Sequence, residues 1–492
     1  MSNANLYELF LSRFPTDRTK PFLQREDGRS LSYSDMDLLS ARMVTVLKDN
    51  GLTKGTRLLV QVEKSMEAVC LYLACLRSGA VYLPLNTAYV SAEVTYFAED
   101  ARPALMVLPE DKIALFTAQS HRAMTMTDFM RAATTATPCP ELAQVEKDDL
   151  AAILYTSGTT GRSKGAMLSH DNLASNALAL HKIWHWQADD VLLHALPIFH
   201  VHGLFVALHC ALLGGSTVWF LPSLDIDALI RLIPRSTVLM GVPAFYTRLL
   251  QHTDFNRDLC RAMRVFISGS APLLSETFTR FEQVTGHRIL ERYGMSEAGM
   301  ITSNPYEGDR VAGTVGFALP DVQLRICDDQ GEMVPCGEIG TLEYKGPNLF
   351  QGYWEMPEKT AAEMRPDGYF ISGDLAVSDT EGRISIVGRA KDLIISGGYN
   401  IYPKEIETAL DKIPGILESA VIGAPHPDLG EQVVAVVIRQ PSTTIETRDI
   451  QGKLSEQLAR FKQPRHIIFR DSLPRNTMGK VQKAMLREEI TL

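Results

Sequence analysis

Ala151-Ala-Ile-Leu-Tyr-Thr-Ser-Gly-Thr-Thr-Gly-Arg-Ser-Lys-Gly165 is an apolar run of strand character that breaks into hydroxyls, glycines and two cations. Glycines let a backbone approach closely and take positive φ, amides and hydroxyls donate to phosphate oxygens, and Arg162 and Lys164 supply charge. Such a loop suits a polyphosphate. It is not a Walker A loop, which places four residues between a glycine and a Gly-Lys pair followed by Ser or Thr; here Lys164 follows Ser163 and precedes Gly165. The same composition would serve a flexible linker. The flanks argue otherwise, because Leu173, Ala177, Leu180 and Trp184 recur at helical spacing behind Ser169, a candidate N-cap. The reading is a strand, a phosphate-holding turn and a helix.

Outward from this loop, β-rich runs alternate with helical patterns up to about Tyr293: Leu58 to Val62, Leu105 to Leu108, Leu192 to Leu196, Val218 to Leu221, Val238 to Val242 and Val265 to Ser268. That alternation predicts an α/β fold of layered, largely parallel sheets. A faint internal echo links Cys75 to Pro84 with Cys210 to Pro222, each a helix end, a glycine, a strand and a proline. From Val315 to Gly388 short strands separated by Asp-Asp-Gln-Gly, Pro-Asp-Gly and Thr-Glu-Gly turns predict antiparallel structure. Beyond Arg389 the pattern is a smaller α+β one, with helices over Pro403 to Leu410 and Ile450 to Leu458 and strands over Ser419 to Ile422 and Val433 to Ile438. The expected division is residues 1–390 and residues 391–492.

At 492 residues the chain exceeds the size at which single cores stop growing. Apolar residues make up 45% and charged residues 22%, which gives no reason to invoke extensive disorder. A net charge of -9 discourages nonspecific binding to nucleic acid, so no nucleic-acid partner is expected. Seven cysteines without a CxxC pair or a matching histidine cluster predict reduced, mostly buried thiols rather than a disulfide frame or a zinc site. The N-terminus lacks a basic region followed by an apolar core, and the run from Met66 to Leu76, interrupted by Glu67, is too short to cross a bilayer. A cytoplasmic location is expected.

Later segments share the loop's character: Glu291-Arg-Tyr-Gly-Met-Ser-Glu297, Tyr369-Phe-Ile-Ser-Gly-Asp374, Gly388-Arg-Ala-Lys-Asp392, Gly397-Gly-Tyr-Asn-Ile-Tyr-Pro-Lys-Glu-Ile-Glu407 and Pro474-Arg-Asn-Thr-Met-Gly-Lys480. In this order, and over nearly the whole chain, they resemble the adenylate-forming superfamily of acyl-CoA synthetases, luciferases and peptide-synthetase adenylation domains. The resemblance implies a large N-terminal domain of α/β subdomains with a small β-barrel-like part, and a smaller mobile C-terminal domain. It also implies two steps: a carboxylate attacks the α-phosphate of ATP to give an acyl-adenylate and pyrophosphate, and the thiol of coenzyme A then displaces AMP. A bare carboxylate would have to expel oxide, whereas AMP is a good leaving group. The first attack joins two anions, so cations must neutralise the developing charge.

By that resemblance Thr156, Ser157, Gly158, Thr159, Thr160, Gly161 and Lys164 hold the β and γ phosphates, Ser296 contacts the α-phosphate and Glu297 coordinates Mg²⁺, which prefers hard oxygen ligands. Tyr293 stacks on adenine beside Gly294, with Gly269, Ser270 and Ala271 lining the base, and Asp374 and Arg389 bind the ribose hydroxyls. Lys480 bridges the attacking carboxylate and the α-phosphate. Lys391 and Asp392 match the hinge about which the small domain turns to withdraw Lys480 and present Gly397, Gly398 and Tyr399 to pantetheine. Without the family match, Asp374 would read as a turn residue, Tyr293 as core and Lys480 as part of a solvated basic tail.

By the same resemblance Arg292, just before Tyr293, faces the acyl pocket and gives the clue to the acid. A guanidinium buried in an acyl pocket without a partner costs several kcal/mol, so the substrate is expected to bring a second anion, which bidentate pairing would hold. The stretches Pro197 to Phe205, Phe266 to Leu274, Glu291 to Gly294 and Thr302 to Tyr306 resemble those of bacterial malonyl-CoA synthetases. This implies malonate, and by extension methylmalonate, with His200, Ser268, Arg292 and Met300 forming the pocket. His200 reads equally as a gate beside it, and His202 as a core residue. Phe199 stands where Tyr is frequent, Ser296 where Thr is frequent, and Ala298-Gly299 where bulkier polar residues are common, so a slightly longer diacid fits the same reading. Another short-acid CoA ligase is the alternative. A stand-alone adenylation enzyme loading a carrier protein is a more distant alternative, and a peptide-synthetase adenylation module is disfavoured because the chain stops soon after Lys480 with no carrier domain appended.

Overall fold

The computed structural model of the chain describes residues 3–156, 163–396, 399–427, 429–476 and 479–490. Two sheets with parallel cores carry the first part. One is six-stranded, in the order Ala123–Met124, Leu105–Val107, Arg57–Val60, Val81–Pro84, Leu150–Thr156, Lys164–Ser169. The other is nine-stranded, in the order Phe317–Ala318, Gly299–Ser303, Leu290–Met295, Val265–Ser268, Val238–Gly241, Val191–His194, Thr217–Phe220, Pro21–Gln24, Ser30–Ser32. Val238–Gly241 and Val265–Ser268 are buried at every position, as strands covered by helices on both faces must be. The strands read from the sequence all form, shorter by one or two residues at their C-terminal ends in most cases.

The internal echo is structural. Met66–Ser78 ends at Gly79 with φ 69° and leads into Val81–Pro84, and His209–Gly214 ends at Gly215 with φ 63° and leads into Thr217–Phe220. Both glycines take the left-handed conformation that closes a helix at low cost. Each following strand pairs in parallel with strands on both sides in its own sheet.

One expectation is corrected. Lys164–Ser169 is not a turn leading to a helix but a strand, antiparallel to Leu150–Thr156 with Thr156 opposite Lys164. The helix His170–Ile183 begins only afterwards, with Ser169 and Asn172 forming a capping box. The stretch read from the sequence as a phosphate-holding turn therefore lies between two paired antiparallel strands, with residues 157–162 outside the described residues.

The part expected to be barrel-like is a four-stranded antiparallel sheet in sequence order, Gln323–Cys327, Gly340–Lys345, Phe370–Ser378 and Ile384–Arg389. A short turn, Ala390–Asp392, leads to a five-stranded sheet of Ile394–Ser396, Tyr399–Ile401, Ile416–His426, Gly430–Arg439 and His466–Arg470. Helix Pro403–Asp411 covers one face of that sheet, where Ile406 and Leu410 share a core with Val433, Ala435 and Val437. Leu486 from helix Lys483–Glu489 covers the other face, in a core with Val434 and Val436. The described cysteines are all free thiols, five of them buried. Among the described residues no helix is long and apolar enough to cross a membrane.

Candidate active site

The strands Val191–His194, Val238–Gly241 and Val265–Ser268 run parallel, so their C-terminal ends open on one edge, where open α/β sheets place ligands. The Pro197–Gly203 turn and the Gly269–Leu273 loop leave from that edge, and Arg292 arrives on the next strand. Arg292 is 2% exposed. Its Nε and Nη2 find no hydrogen-bond acceptor among the described residues. Burial pulls its pKa down to about 9. A Cβ on Gly269 would stand 2.3 Å from Arg292 Nη1, so only glycine leaves the guanidinium room there.

His200 faces this cation. Burial and then Arg292 lower its pKa to about 4, so it is neutral at physiological pH. His202 is likewise held well below its ordinary value by burial and Arg292, with its Nδ1 3.2 Å from Ser270 Oγ. Ser270 takes φ 70°, which turns the Gly269–Leu273 loop over the edge. Ser268 is fully buried, and neither its hydroxyl nor His202 Nε2 has a partner among the described residues. Met300 is buried, held by Asn176 through its amide at 3.1 Å and its carbonyl at 2.8 Å. Gly294 packs so closely that a Cβ would lie 2.0 Å from Gly299 O and 2.7 Å from Met300 Cε. Arg292, His200 and Ser268 thus come together, with unsatisfied polar atoms inside an otherwise well-packed core. Buried polar groups are normally paired, so these atoms are free to meet a ligand or water.

Asp374 and Arg389 are opposite residues on adjacent antiparallel strands, and Arg389 Nε lies 2.7 Å from Asp374 Oδ1. The Tyr293 hydroxyl donates to Asp374 Oδ2 at 2.5 Å. Lys480 reaches this corner from the segment between strand His466–Arg470 and helix Lys483–Glu489. Its pKa is lowered to about 8, by burial and then Arg389, while Asp374 and Asp392 favour its charged form. The Lys480 amide donates to Asn476 Oδ1 at 2.9 Å, and Arg475 is tied to both Glu418 and Gly479 O. Asp392 accepts from Arg487 at 2.8 Å, joining the 390–392 turn to the last helix.

On the other side of the edge Glu297 is 6% exposed, and its Oε1 accepts from the Tyr353 hydroxyl at 2.9 Å. Tyr353 also lies 2.8 Å from Glu363 Oε2, Glu363 pairs with Lys164 at 3.2 Å, and the Lys164 ammonium sits 4.1 Å above the Tyr353 ring. Thr156 Oγ1 donates to Lys164 O at 3.4 Å. Burial raises the Glu297 pKa, opposed by Tyr353, Lys164 and Arg389. No cluster of three or more His, Cys, Asp or Glu suited to a metal occurs among the described residues.

Several expected contributors stand apart or cannot be placed. Ser157, Gly158, Thr159, Thr160 and Gly161, and likewise Gly397 and Gly398, lie outside the described residues. Tyr399 is 57% exposed and stacks on Phe461 with ring centroids 4.5 Å apart. Ser296 and Ala271 are half-buried in the turns beside Glu297 and Ser270. The sequence reading missed Tyr353 and Glu363, and it missed Glu291, whose Oε1 accepts from the Leu273 amide at 3.0 Å and whose pKa burial raises to about 7. Tyr353 sits in an unremarkable Gly-Tyr-Trp triplet, and nothing in its spacing points to Glu297.

Known proteins share this geometry. The sequence profile of the AMP-binding enzyme matches residues 10–354, and that of the AMP-binding enzyme C-terminal domain matches residues 405–480. A malonate–CoA ligase of Arabidopsis thaliana is 34% identical over 99% of this chain and 90% of that protein. The mitochondrial malonate–CoA ligase of Mus musculus is 35% identical over 84% and 78%. Among solved structures, the ATP-bound MatB of Rhodopseudomonas palustris superposes with a TM-score of 0.96 at 51% identity, covering 99% of both chains, and the apo form of that protein gives 0.86. With both profiles in order and such relatives along nearly its full length, the chain belongs to the AMP-binding enzyme family.

Proposed function

We propose that this chain ligates malonate to coenzyme A in an ATP-dependent, AMP-forming reaction through malonyl-adenylate, with methylmalonate as a second acid. The observation that carries the choice of acid is Arg292, a buried guanidinium whose Nε and Nη2 have no partner among the described residues. The distal carboxylate of a diacid would satisfy both nitrogens in a bidentate pair. A monocarboxylate would leave them orphaned at a cost of several kcal/mol. The relatives named as malonate–CoA ligases and the MatB likeness support the same reading.

In this reading neutral His200 and the Ser268 hydroxyl receive the acid beside Arg292, and Met300 limits its length. Tyr293 and the Gly269, Ser270 and Ala271 loop hold the base, with Gly294 admitting it closely. Asp374 and Arg389 hold the ribose, exchanging their mutual contacts and that of Tyr293 for the sugar hydroxyls. The hairpin loop from Thr156 to Lys164 grips the pyrophosphate, and Ser296 contacts the α-phosphate. One buried carboxylate, Glu297, anchored on one oxygen by Tyr353, suits Mg²⁺, which takes few protein ligands and completes its shell with phosphates and water. Bound there, the ion would neutralise charge on the phosphates. Lys480 draws the acid carboxylate and the α-phosphate together. Residues 1–390 and 391–492 form the two domains, turning about Lys391 and Asp392, so that Gly397, Gly398 and Tyr399 face pantetheine in the second step. Buried free thiols suit a reducing, cytoplasmic setting.

AMP release measured across acetate, malonate, methylmalonate, succinate and benzoate tests the assignment. Malonate is expected to exceed acetate by about 10² or more in kcat/KM, since a site built to pair a polar group rejects the analogue lacking it. Equal rates on the two acids would overturn the Arg292 argument.

A pH profile of the first half-reaction gives a second check. Lys480 must be an ammonium to bridge two anions, and burial holds its pKa at about 8. The cation is therefore present below that value and lost above it, so kcat/KM for adenylation falls as pH rises through about 8. Bound phosphates raise the pKa again, which moves the limb for kcat to higher pH. Thioester formation from supplied malonyl-adenylate should show no falling limb there. A shared limb would remove Lys480 from its assigned step.

A further inference from the structure

Lys64 lies outside every motif considered above, on the loop between strand Arg57–Val60 and the helix capped by Ser65. Its amine crosses from the six-stranded sheet to the end of Val191–His194 in the nine-stranded one. There Nζ stands 2.8 Å from His194 Nδ1 and 3.0 Å from His194 O, and 4.4 Å above the Phe220 ring. His194 is 1% exposed, and its Nε2 lies 2.9 Å from Gly203 O. A carbonyl can only accept, so Nε2 carries the proton and Nδ1 must accept from Lys64. Burial and then Lys64 keep His194 neutral, as this arrangement requires. Charged or neutral, the Lys64 amine retains an N–H for Nδ1.

Gly203 is the second residue of a π-helix, His202–Leu208, a rare conformation that frequently marks functional sites. A Cβ there would stand 2.1 Å from Pro197 O, so Gly203 closes the turn from Pro197 directly onto its own start. His200 and His202 lie on that turn, and His202 is linked onward to Ser270. A shift of the Gly203 carbonyl cannot be absorbed within so short and tightly closed a segment without moving both histidines.

We propose that Lys64 is a positioning residue for the acid pocket: by donating to His194 Nδ1 it anchors the ring whose Nε2–H holds the Gly203 carbonyl, and so fixes the turn bearing His200 and His202. The proposal rests on the reading of His200, Ser268 and Arg292 as the acid site. It predicts a defect confined to the acid. Lys64→Met keeps the stem and its packing but removes the donor. It should raise the KM for malonate about tenfold while the KM for ATP stays within about twofold. His194→Leu should reproduce that split. His194→Gln, whose Oε1 can accept from Lys64 and whose Nε2 can donate to Gly203, should restore most of the native KM.

In ¹⁵N-histidine-labelled enzyme the unprotonated Nδ1 signal of His194, identified by its disappearance in His194→Gln, should move downfield in Lys64→Met as its hydrogen bond is lost. Equal rises in both KM values, or an unchanged malonate KM in Lys64→Met where Arg292→Ala raises it, would overturn the proposal. If Arg292→Ala itself leaves the malonate KM unchanged, the pocket assignment fails instead. The histidine signal then decides alone whether Lys64 governs His194, and an unmoved signal in Lys64→Met refutes that. Should Lys64→Met fail to fold, the contrast between His194→Leu and His194→Gln decides the same question: equal malonate KM values in the two would refute the proposal.

Discussion

Lys480→Ala is expected to lower the rate of adenylate formation by about 10³-fold while leaving thioester formation from supplied malonyl-adenylate within a few-fold of native. The asymmetry follows from charge. Adenylation brings a carboxylate onto a phosphate that already carries negative charge, and a cation placed between them stabilises the transition state more than either ground state. The second step attacks a neutral acyl carbon and expels AMP, so no pair of anions has to be brought together. Lys480 feels the charges of Arg389, Asp374 and Asp392, the corner to which the proposal assigns the nucleotide. Pyrophosphate exchange reads the first step and malonyl-CoA formation from synthetic adenylate reads the second. Equal losses in both would show that the substitution disturbs the domain rather than the bridge.

Arg292→Ala should cost malonate about 10²- to 10³-fold in kcat/KM and leave acetate nearly unaffected, because truncating one partner of a buried charge pair typically costs ~2–5 kcal/mol. The free enzyme should respond in the opposite sense. Its guanidinium is buried with two nitrogens unpartnered among the described residues, so removing it relieves a desolvation penalty, offset in part by the cavity left behind. Thermal unfolding of the ligand-free variant is therefore expected at or above the native midpoint. A large fall in that midpoint together with an unchanged preference for malonate would mean that Arg292 serves the core and not the substrate.

Much of the architecture is legible in local pattern. The strand Val265–Ser268 and its neighbours announce themselves because strands buried on both faces must be apolar throughout. Ser169 is read as an N-cap because a hydroxyl there answers a local need of the helix amides, and it does cap. The hairpin formed by Leu150–Thr156 and Lys164–Ser169 is not legible. Lys164 to Ser169 is short and begins in a loop-like sequence, and its strand character depends on lying against Leu150–Thr156 and on Gly165, where a Cβ would meet Ile153 at 2.8 Å. Tyr353 and Glu363 escape notice for a related reason. Their importance lies in reaching Glu297 and Lys164, and a contact across 56 or 199 residues leaves no periodicity behind.

Taken alone, the order of motifs from the Thr156–Lys164 loop to Lys480 pointed to the family and the class of reaction, and Arg292 to a second anion on the acid. Each expectation rests on residue types whose chemistry is intrinsic: glycines and hydroxyls suit phosphate, a lysine suits a place between two anions, and an arginine suits a second carboxylate. Only the tertiary structure decided that Leu150–Thr156 and Lys164–Ser169 pair antiparallel, that Glu297 is anchored through Tyr353, and that Lys64 reaches His194 and through it Gly203. These depend on which buried polar atoms find one another once the two sheets pack. That matching is enforced by the cost of leaving any of them unpaired, a cost the unfolded chain never meets because water satisfies it.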